Sequence, residues 1–185
     1  DGQWKGVQSV PWNSNEYSVQ HPALSPDGNT LYFASDMPGG QGMSDIYKVT
    51  VNKDGTFGTP ENMGSVVNTE GREGFPFVDS NGSLYFSSDG HLGIGLLDVF
   101  MVPITRSWNM EVVNMGKGVN SSSDDFAFVF DPVTMTGYVS SNREGGKGGD
   151  DIYAVKELEI ACEVTYNVTV LNEYTDGPIS GARVD

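Results

Sequence analysis

Three segments of the chain share one pattern: LYFASD at residues 31–36, LYFSSD at 84–89 and GYVSSN at 137–142. Successive segments lie 53 residues apart, and the same spacing separates Asp45, Asp98 and Asp151. Several residues that recur with one common spacing indicate an internal repeat that spans most of the chain. A repeat of this length, made of short apolar runs and turn residues, predicts the four-stranded antiparallel blade of a β-propeller.

Each repeat predicts the same series of strands. The first covers 21–25, 74–78 and 126–130, the second 31–35, 84–88 and 137–141, the third 45–51, 98–103 and 151–156, and a weaker fourth about 57–62 and 110–115. Turn residues such as PDGN at 26–29 favour tight hairpins between the first two strands.

The fold class that follows is all-β, with an incomplete β-propeller of about three four-stranded blades and then the first strands of a β-sandwich. Residues 1–16 are interpreted as the fourth strand of a preceding blade and a connector, 17–158 as blades (17–70, 71–123 and 124–158), and 159–185 as a linker and the start of the sandwich. Since a closed ring needs about four blades or more, we expect further blades to precede Asp1.

Composition excludes several functions. The formal net charge of −15 disfavours binding to nucleic acids and to anionic lipids. The longest apolar stretch, residues 92–104, is broken by glycine, aspartate and proline, so we expect no membrane insertion by this segment. Cys162 is the single cysteine and has no disulfide partner within the chain.

The repeat resembles the TolB-type, WD40-like repeat, through SPDGNTLYFASD at 25–36. The segment SNREGGKGGDDIY at 141–153 is similar to the variant found in OmpA-family envelope proteins of Bacteroidota, which include the PorE-type component of the type IX secretion machinery. Residues 175–184 resemble the opening of a carboxypeptidase-regulatory-like domain.

The resemblance implies a location and partners. It implies a periplasmic protein associated with the outer membrane that acts as a non-catalytic interaction scaffold. The partners would be envelope proteins of a secretion or outer-membrane assembly, and peptidoglycan would be contacted only through domains outside this sequence. The alternative is a carbohydrate- or peptide-binding propeller that is accessory to an enzyme.

Side chains that recur in every repeat are interpreted as structural. Asp45, Asp98 and Asp151 stand where a glycine-rich loop enters a strand, where a carboxylate can accept backbone N–H bonds. A ring of carboxylates that binds cations is the alternative. The tyrosines at the second repeated position are interpreted as packing between blades; they are Tyr32, Tyr85 and Tyr138.

Catalytic and metal motifs are not recognisable. The acidic turns at 52–55 and 79–82 do not continue to the glutamate that ends a calcium-binding loop. No Gly-x-Ser-x-Gly motif occurs, and His21 and His91 occupy different places in their repeats. We therefore expect no cofactor, no metal and no catalytic residue, and we expect that the chain is not an enzyme.

Apolar residues that occur in single loops remain as candidates for partner binding. They lie in the loops between the second and third strands of the first two repeats, and they are Met37, Met43, His91, Leu92, Ile94, Leu96 and Leu97. Exposed apolar loop residues often form a protein-docking surface. Folding of these side chains over a neighbouring blade is the alternative.

Overall fold

A computed structural model describes residues 2–3, 6–103, 111–158, 169, 171–175 and 177–179. These residues form eleven strands and no helix. The strands are β1 (Val19–Leu24), β2 (Thr30–Ser35), β3 (Asp45–Thr50), β4 (Glu61–Asn62), β5 (Glu73–Val78), β6 (Ser83–Ser88), β7 (Asp98–Pro103), β8 (Val113–Asn114), β9 (Asp125–Asp131), β10 (Thr136–Ser141) and β11 (Asp151–Lys156). The all-β prediction is confirmed.

The strands form three separate antiparallel sheets in chain order. Sheet 1 contains β1 to β4, sheet 2 contains β5 to β8, and sheet 3 contains β9, β10 and β11. The first three strands of each repeat begin and end within two residues of the predicted bounds. The fourth strand is only two residues long in sheets 1 and 2, and Pro60, which has no N–H to donate, directly precedes β4.

Apolar side chains fill the spaces between neighbouring sheets. Ile46 of sheet 1 and Leu84 and Phe86 of sheet 2 belong to one buried cluster. Val99 of sheet 2 and Val139 of sheet 3 belong to the next. Adjacent residues of the inner strands are buried together because both faces of the strand are covered, which explains why these strands read as continuous apolar runs.

The first strand of every sheet contains a β-bulge. The bulges lie between Gln20 and Ala23 in β1, between Gly74 and Phe77 in β5, and opposite Tyr138 to Ser140 in β9. At each bulge one residue other than glycine has a positive φ: His21 (54°), Phe75 (52°) and Ala127 (53°). Because β5 contacts both β1 and β9, the three bulges lie around one cleft.

Several predictions fall outside the described residues. They concern Asp1, Trp4 and Lys5, Met110, Cys162 and most of the predicted β-sandwich. Near the C-terminus the described residues contain one isolated bridge, between Leu171 and Pro178. In the described part of the chain, no helix is long and apolar enough to span a membrane.

Candidate functional site

The glycine-rich loops between the second and third strands all leave the same end of their sheets. They cover residues 36–44, 89–97 and 142–150, and each ends at the first residue of a third strand. The connections from sheet 1 to sheet 2 and from sheet 2 to sheet 3 reach this end too, and they contact the loops. Met43 N donates to the carbonyl of Gly71, and Leu96 N donates to that of Ser123. This loop end is the candidate functional site.

An aspartate closes each loop. The carboxylate of Asp45 accepts the N–H groups of Gln41 at 2.5 Å and Gly42 at 3.1 Å. The carboxylates of the other two aspartates make the same pair of bonds, Asp98 with Ile94 and Gly95, and Asp151 with Lys147 and Gly148.

Glycine is required beside each of these carboxylates. A side chain at Gly40, Gly93 or Gly146 would run into the aspartate that closes its loop. Each carboxylate therefore fixes the end of its loop that enters the third strand. In the described residues no group of three or more His, Cys, Asp or Glu side chains could hold a metal ion.

The seven candidate partner-binding residues divide into two groups. Leu92 is 96% exposed, Leu96 65%, Ile94 40% and Met43 67%, while Leu97 is only partly exposed. Met43 and Leu96 occupy the same position in successive loops. Four apolar side chains of these loops are thus exposed at the loop end of the sheets. We call them the loop patch: Met43, Leu92, Ile94 and Leu96.

Met37 and His91 point inward instead. Met37 packs against the cluster that contains Phe33 and Tyr47. His91 places Nε2 2.9 Å from the carbonyl oxygen of Val67 and its ring 5.1 Å from that of Phe100. His91 thus folds over a segment of the neighbouring repeat, as the alternative predicts, whereas Met37 packs within its own repeat.

Arg143 in the loop of sheet 3 and His91 in the loop of sheet 2 make the same kind of contact, since each binds the carbonyl oxygen of a valine in the connection that precedes its own sheet in the chain. Arg143 donates to the carbonyl of Val119 at 2.7 Å and lies over the ring of Tyr153. It also forms an ion pair with Asp125, which is fully buried. Glu73 replaces Asp125 in sheet 2 and accepts bonds from Thr69 and Ser88 instead.

The recurring tyrosines differ in exposure. Tyr32 and Tyr85 are each 6% exposed and pack in the clusters between sheets. Tyr138 is 56% exposed, because among the described strands its own strand contacts only β9 and β11.

Two buried asparagines were missed in the sequence. Asn68 accepts from the N–H of Ile46 at 2.8 Å and donates to its carbonyl at 3.0 Å. Asn120 binds the backbone of Val99 in the same way, at 2.8 and 2.9 Å. The signal that could have found them is the pair NMGSVVN at 62–68 and NMGKGVN at 114–120. These stretches, with the residue before each, are called the edge segments (61–68 and 113–120).

An aromatic cleft of about 410 Å³ lies where the three bulges meet. The rings of His21 and Phe75 stack with their centroids 3.8 Å apart, and Phe126 lies 5.1 Å from Phe75. The His21 Nδ1 accepts from the Phe75 N–H at 3.3 Å. Burial lowers the pKa of His21 below its usual 6.5, so the ring is neutral at pH 7.

Comparison with known proteins yields a fold and no family. No protein-family model matches the chain, and no curated protein matches it significantly. Among solved structures, eleven chains match. One is prolyl oligopeptidase B from Galerina marginata, bound to a 35mer hydrolysis and macrocyclization substrate, at 13% identity and a TM-score of 0.50. The match covers 80% of the present chain and 20% of that chain.

This similarity corrects one expectation. The sequence led us to expect that the chain is not an enzyme, and the match to part of a peptidase contradicts that exclusion. The absence of a familiar catalytic motif in one stretch was too weak a reason, since a domain of an enzyme can lack the motif while another part of the same chain carries it. At 13% identity the similarity shows the fold alone.

Proposed function

We propose that the three sheets are blades of a β-propeller and that the protein is an interaction scaffold of the bacterial cell envelope. The propeller is supported by three sheets in chain order whose first strands lie around one cleft, and by the likeness to a propeller-containing peptidase. The envelope setting rests on the resemblance of the repeat to OmpA-family proteins. Within the cell envelope, the specific assembly that we propose is a secretion assembly of the PorE type.

The loop patch is the observation that carries the scaffold proposal. Leu92 and Leu96 are large, exposed apolar side chains on one loop, whose backbone is closed by the buried Asp98. A loop that is already ordered loses little conformational entropy when it binds, so apolar contacts on it are effective for association. The partner would be an envelope protein with an apolar surface of its own.

Introducing charges into the loop patch tests the proposal. We expect Leu92→Asp with Leu96→Asp to abolish cross-linking of the protein to envelope proteins in intact cells. Val133→Asp is the matched control, because Val133 is 83% exposed and lies in the β9–β10 turn, at the opposite end of its sheet. Equal cross-linking by both variants would contradict a docking role for the loop patch.

The localisation has its own test. Fractionation of cells that produce the protein should recover it with the outer membrane from the periplasmic side. Recovery in the cytoplasm would contradict the envelope proposal while leaving the loop patch untouched.

A carbohydrate- or peptide-binding propeller is the second candidate, and the aromatic cleft favours it. The rings of His21 and Phe75 supply stacking surfaces, and Pro22 and Pro76 line the same cleft. Titration with oligosaccharides, peptidoglycan fragments and proline-containing peptides would reveal saturable binding, which Phe75→Ala should remove. Binding that Phe75→Ala does not change would place the ligand elsewhere.

A further inference from the structure

A polar pocket of about 250 Å³ adjoins the aromatic cleft at the loop end of sheets 1 and 2. His21 and Phe75 line both the pocket and the cleft, so the two spaces share one wall. The other residues that line the pocket are Gln20, Ser44, Arg72, Glu73, Gly74 and Leu97. Since the cleft offers rings and the pocket offers a guanidinium group, the two together suit a ligand with an apolar part and an anionic part.

Arg72 has no counterpart in the other repeats. It stands directly before β5, whereas Ser18 stands before β1 and Asp124 before β9. The three positions are equivalent, because the backbone N–H of each donates to the side-chain oxygen of a residue that follows the second strand of its sheet. These acceptors are Asp36, Asp89 and Asn142. A side chain that only one repeat contains is not needed to build the repeat and is a candidate for recognition.

One nitrogen of the Arg72 guanidinium group is already bound. Nε donates to Asp89 Oδ2 at 2.8 Å, which fixes the orientation of the planar group. In the described part of the chain its two terminal nitrogens have no hydrogen-bond partner, and the side chain is 59% exposed. Two parallel N–H groups match the two oxygens of a carboxylate. The ion pair with Asp89 therefore leaves the end of the guanidinium group free for an anion.

His21 supplies a second donor at the wall between the pocket and the cleft. Its Nδ1 accepts the N–H of Phe75 at 3.3 Å, so the proton of the neutral ring is on Nε2. Gly74 leaves room for this ring, since a Cβ there would lie 3.3 Å from Nδ1. Gln20 and Phe126 hold the equivalent positions of β1 and β9. The wall thus depends on a glycine that sheet 2 alone places there.

The lining of the cleft favours apolar side chains over a sugar. Ten residues line it, and His21 alone among them has a polar side chain. The hydroxyl groups of a sugar would lose their bonds to water there without replacement. A cavity of about 150 Å³ accepts benzene, so a cleft of about 410 Å³ has room for more than one apolar side chain. A peptide supplies several such side chains in series.

We propose that this site binds the C-terminus of a peptide, with the terminal carboxylate on Arg72 and the last apolar side chains in the aromatic cleft. Capture of a C-terminal carboxylate is a recurring mode of peptide recognition. Glu73 lines the pocket but is 0% exposed, and its carboxylate accepts bonds from Thr69 and Ser88. The proposal rests on the second candidate function, a peptide-binding propeller, and names the part of the peptide that binds.

Calorimetric titration of the full chain tests the role of the carboxylate. The probes are acetylated tripeptides that end in phenylalanine or proline, each as the free acid and as the C-terminal amide. We expect the better acid to bind about tenfold more tightly than its amide, because only the acid forms charged bonds with Arg72. High salt should reduce this preference, since it screens the charges.

Arg72→Gln is the decisive variant. It should lower the affinity for the acid to that for the amide and leave the affinity for the amide unchanged. Lys147→Gln is the matched control, because it removes a positive charge from an exposed position in the loop of sheet 3. This control should bind both forms as the natural chain does.

Two variants test the cleft separately. Phe75→Ala should remove the binding of both forms, because it deletes a stacking surface. Leu24→Asp changes a residue of the same cleft that is 55% exposed, so folding should tolerate it. It too should weaken both forms, since it places a charge beside the apolar side chains of the ligand.

Equal affinity for acid and amide would overturn the inference, and so would a preference for the acid that survives Arg72→Gln. If Phe75→Ala still removed the binding in either case, the peptide-binding candidate itself would stand. Absence of binding by all the tripeptides would contradict both. N-acetylphenylalanine that binds as tightly as the tripeptide acid would overturn the assignment to a peptide.

Discussion

Sheets 1 and 3 have the same third strand and differ in what covers it. In sheet 1 the edge segment buries Ile46 completely and satisfies its N–H and carbonyl with one asparagine, whereas Ile152 of sheet 3 is 75% exposed. The comparison shows that the apolar residue at this position is part of a joint between two segments. An apolar residue at this position of the sequence does not reveal whether another segment covers it.

Hydrogen exchange should show the largest difference between the two edges. The amide protons of Ile46 and Val99 should exchange at least about a thousandfold more slowly than that of Ile152, because the first two are buried and bonded. Exchange measured by NMR residue by residue gives this ratio. Similar protection of all three amides would remove the distinction between the edges.

Asn68→Ala should produce the next largest effect. It leaves the N–H of Ile46 buried without its partner and removes one of the two bonds to the Ile46 carbonyl, which still accepts from Met63 N. We expect a loss of about 4 kcal/mol of unfolding free energy. Urea denaturation measures it, with Asn15→Ala, at an exposed position, as the control within about 0.5 kcal/mol. A loss below about 1 kcal/mol would show that the edge segment is held mainly by its apolar contacts.

Arg143→Met in sheet 3 should destabilise the protein more than His91→Leu in sheet 2. It leaves the buried carboxylate of Asp125 without its cation, at an expected cost of about 3 kcal/mol. His91→Leu removes a single bond to the carbonyl of Val67, and we expect it to cost about 1 kcal/mol. Thermal or urea unfolding of the two variants side by side gives the order. The reverse order would mean that Asp125 is stabilised by Ser121 alone.

The smallest difference concerns pH, since sheet 1 alone places a histidine at its bulge. The pKa of His21 is lowered in the folded protein, so below about pH 6.5 the unfolded chain binds a proton that the folded chain resists. The stability should therefore fall more steeply below that pH in the natural chain than in His21→Phe, and should not differ in its pH slope above it. Parallel curves from pH 7 to pH 5 would contradict this.

Much of the fold was predictable because the repeat is internal to one sequence. The 53-residue register located the three long strands of each unit through residues such as Phe33 and Phe86, which lie in continuous apolar runs of strand length. The short fourth strand was predicted too long, since β4 is only two residues, Glu61 and Asn62. Beyond it, Met63 N and the amide of Asn68 bind the backbone of Ile46 in β3.

Less of the candidate site could be predicted. Leu92 and Leu96 read as unusual loop residues and are exposed, but nothing local distinguishes them from Met37 and His91, which pack inward. Whether a loop side chain points outward or inward depends on neighbours that are distant in the chain, such as the Val67 carbonyl that binds His91. The aromatic cleft could not be foreseen either, because it depends on three bulges that are not encoded by glycine.

Those bulges leave the cleft open to redesign. One left-handed backbone geometry carries an imidazole in sheet 1, a phenyl ring in sheet 2 and a methyl group in sheet 3. Very different side chains thus occupy one backbone geometry at the cleft, although the His21 ring also accepts the Phe75 N–H. Combinatorial replacement of His21, Phe75 and Ala127 would therefore vary the chemistry of the cleft at positions whose backbone geometry is shared.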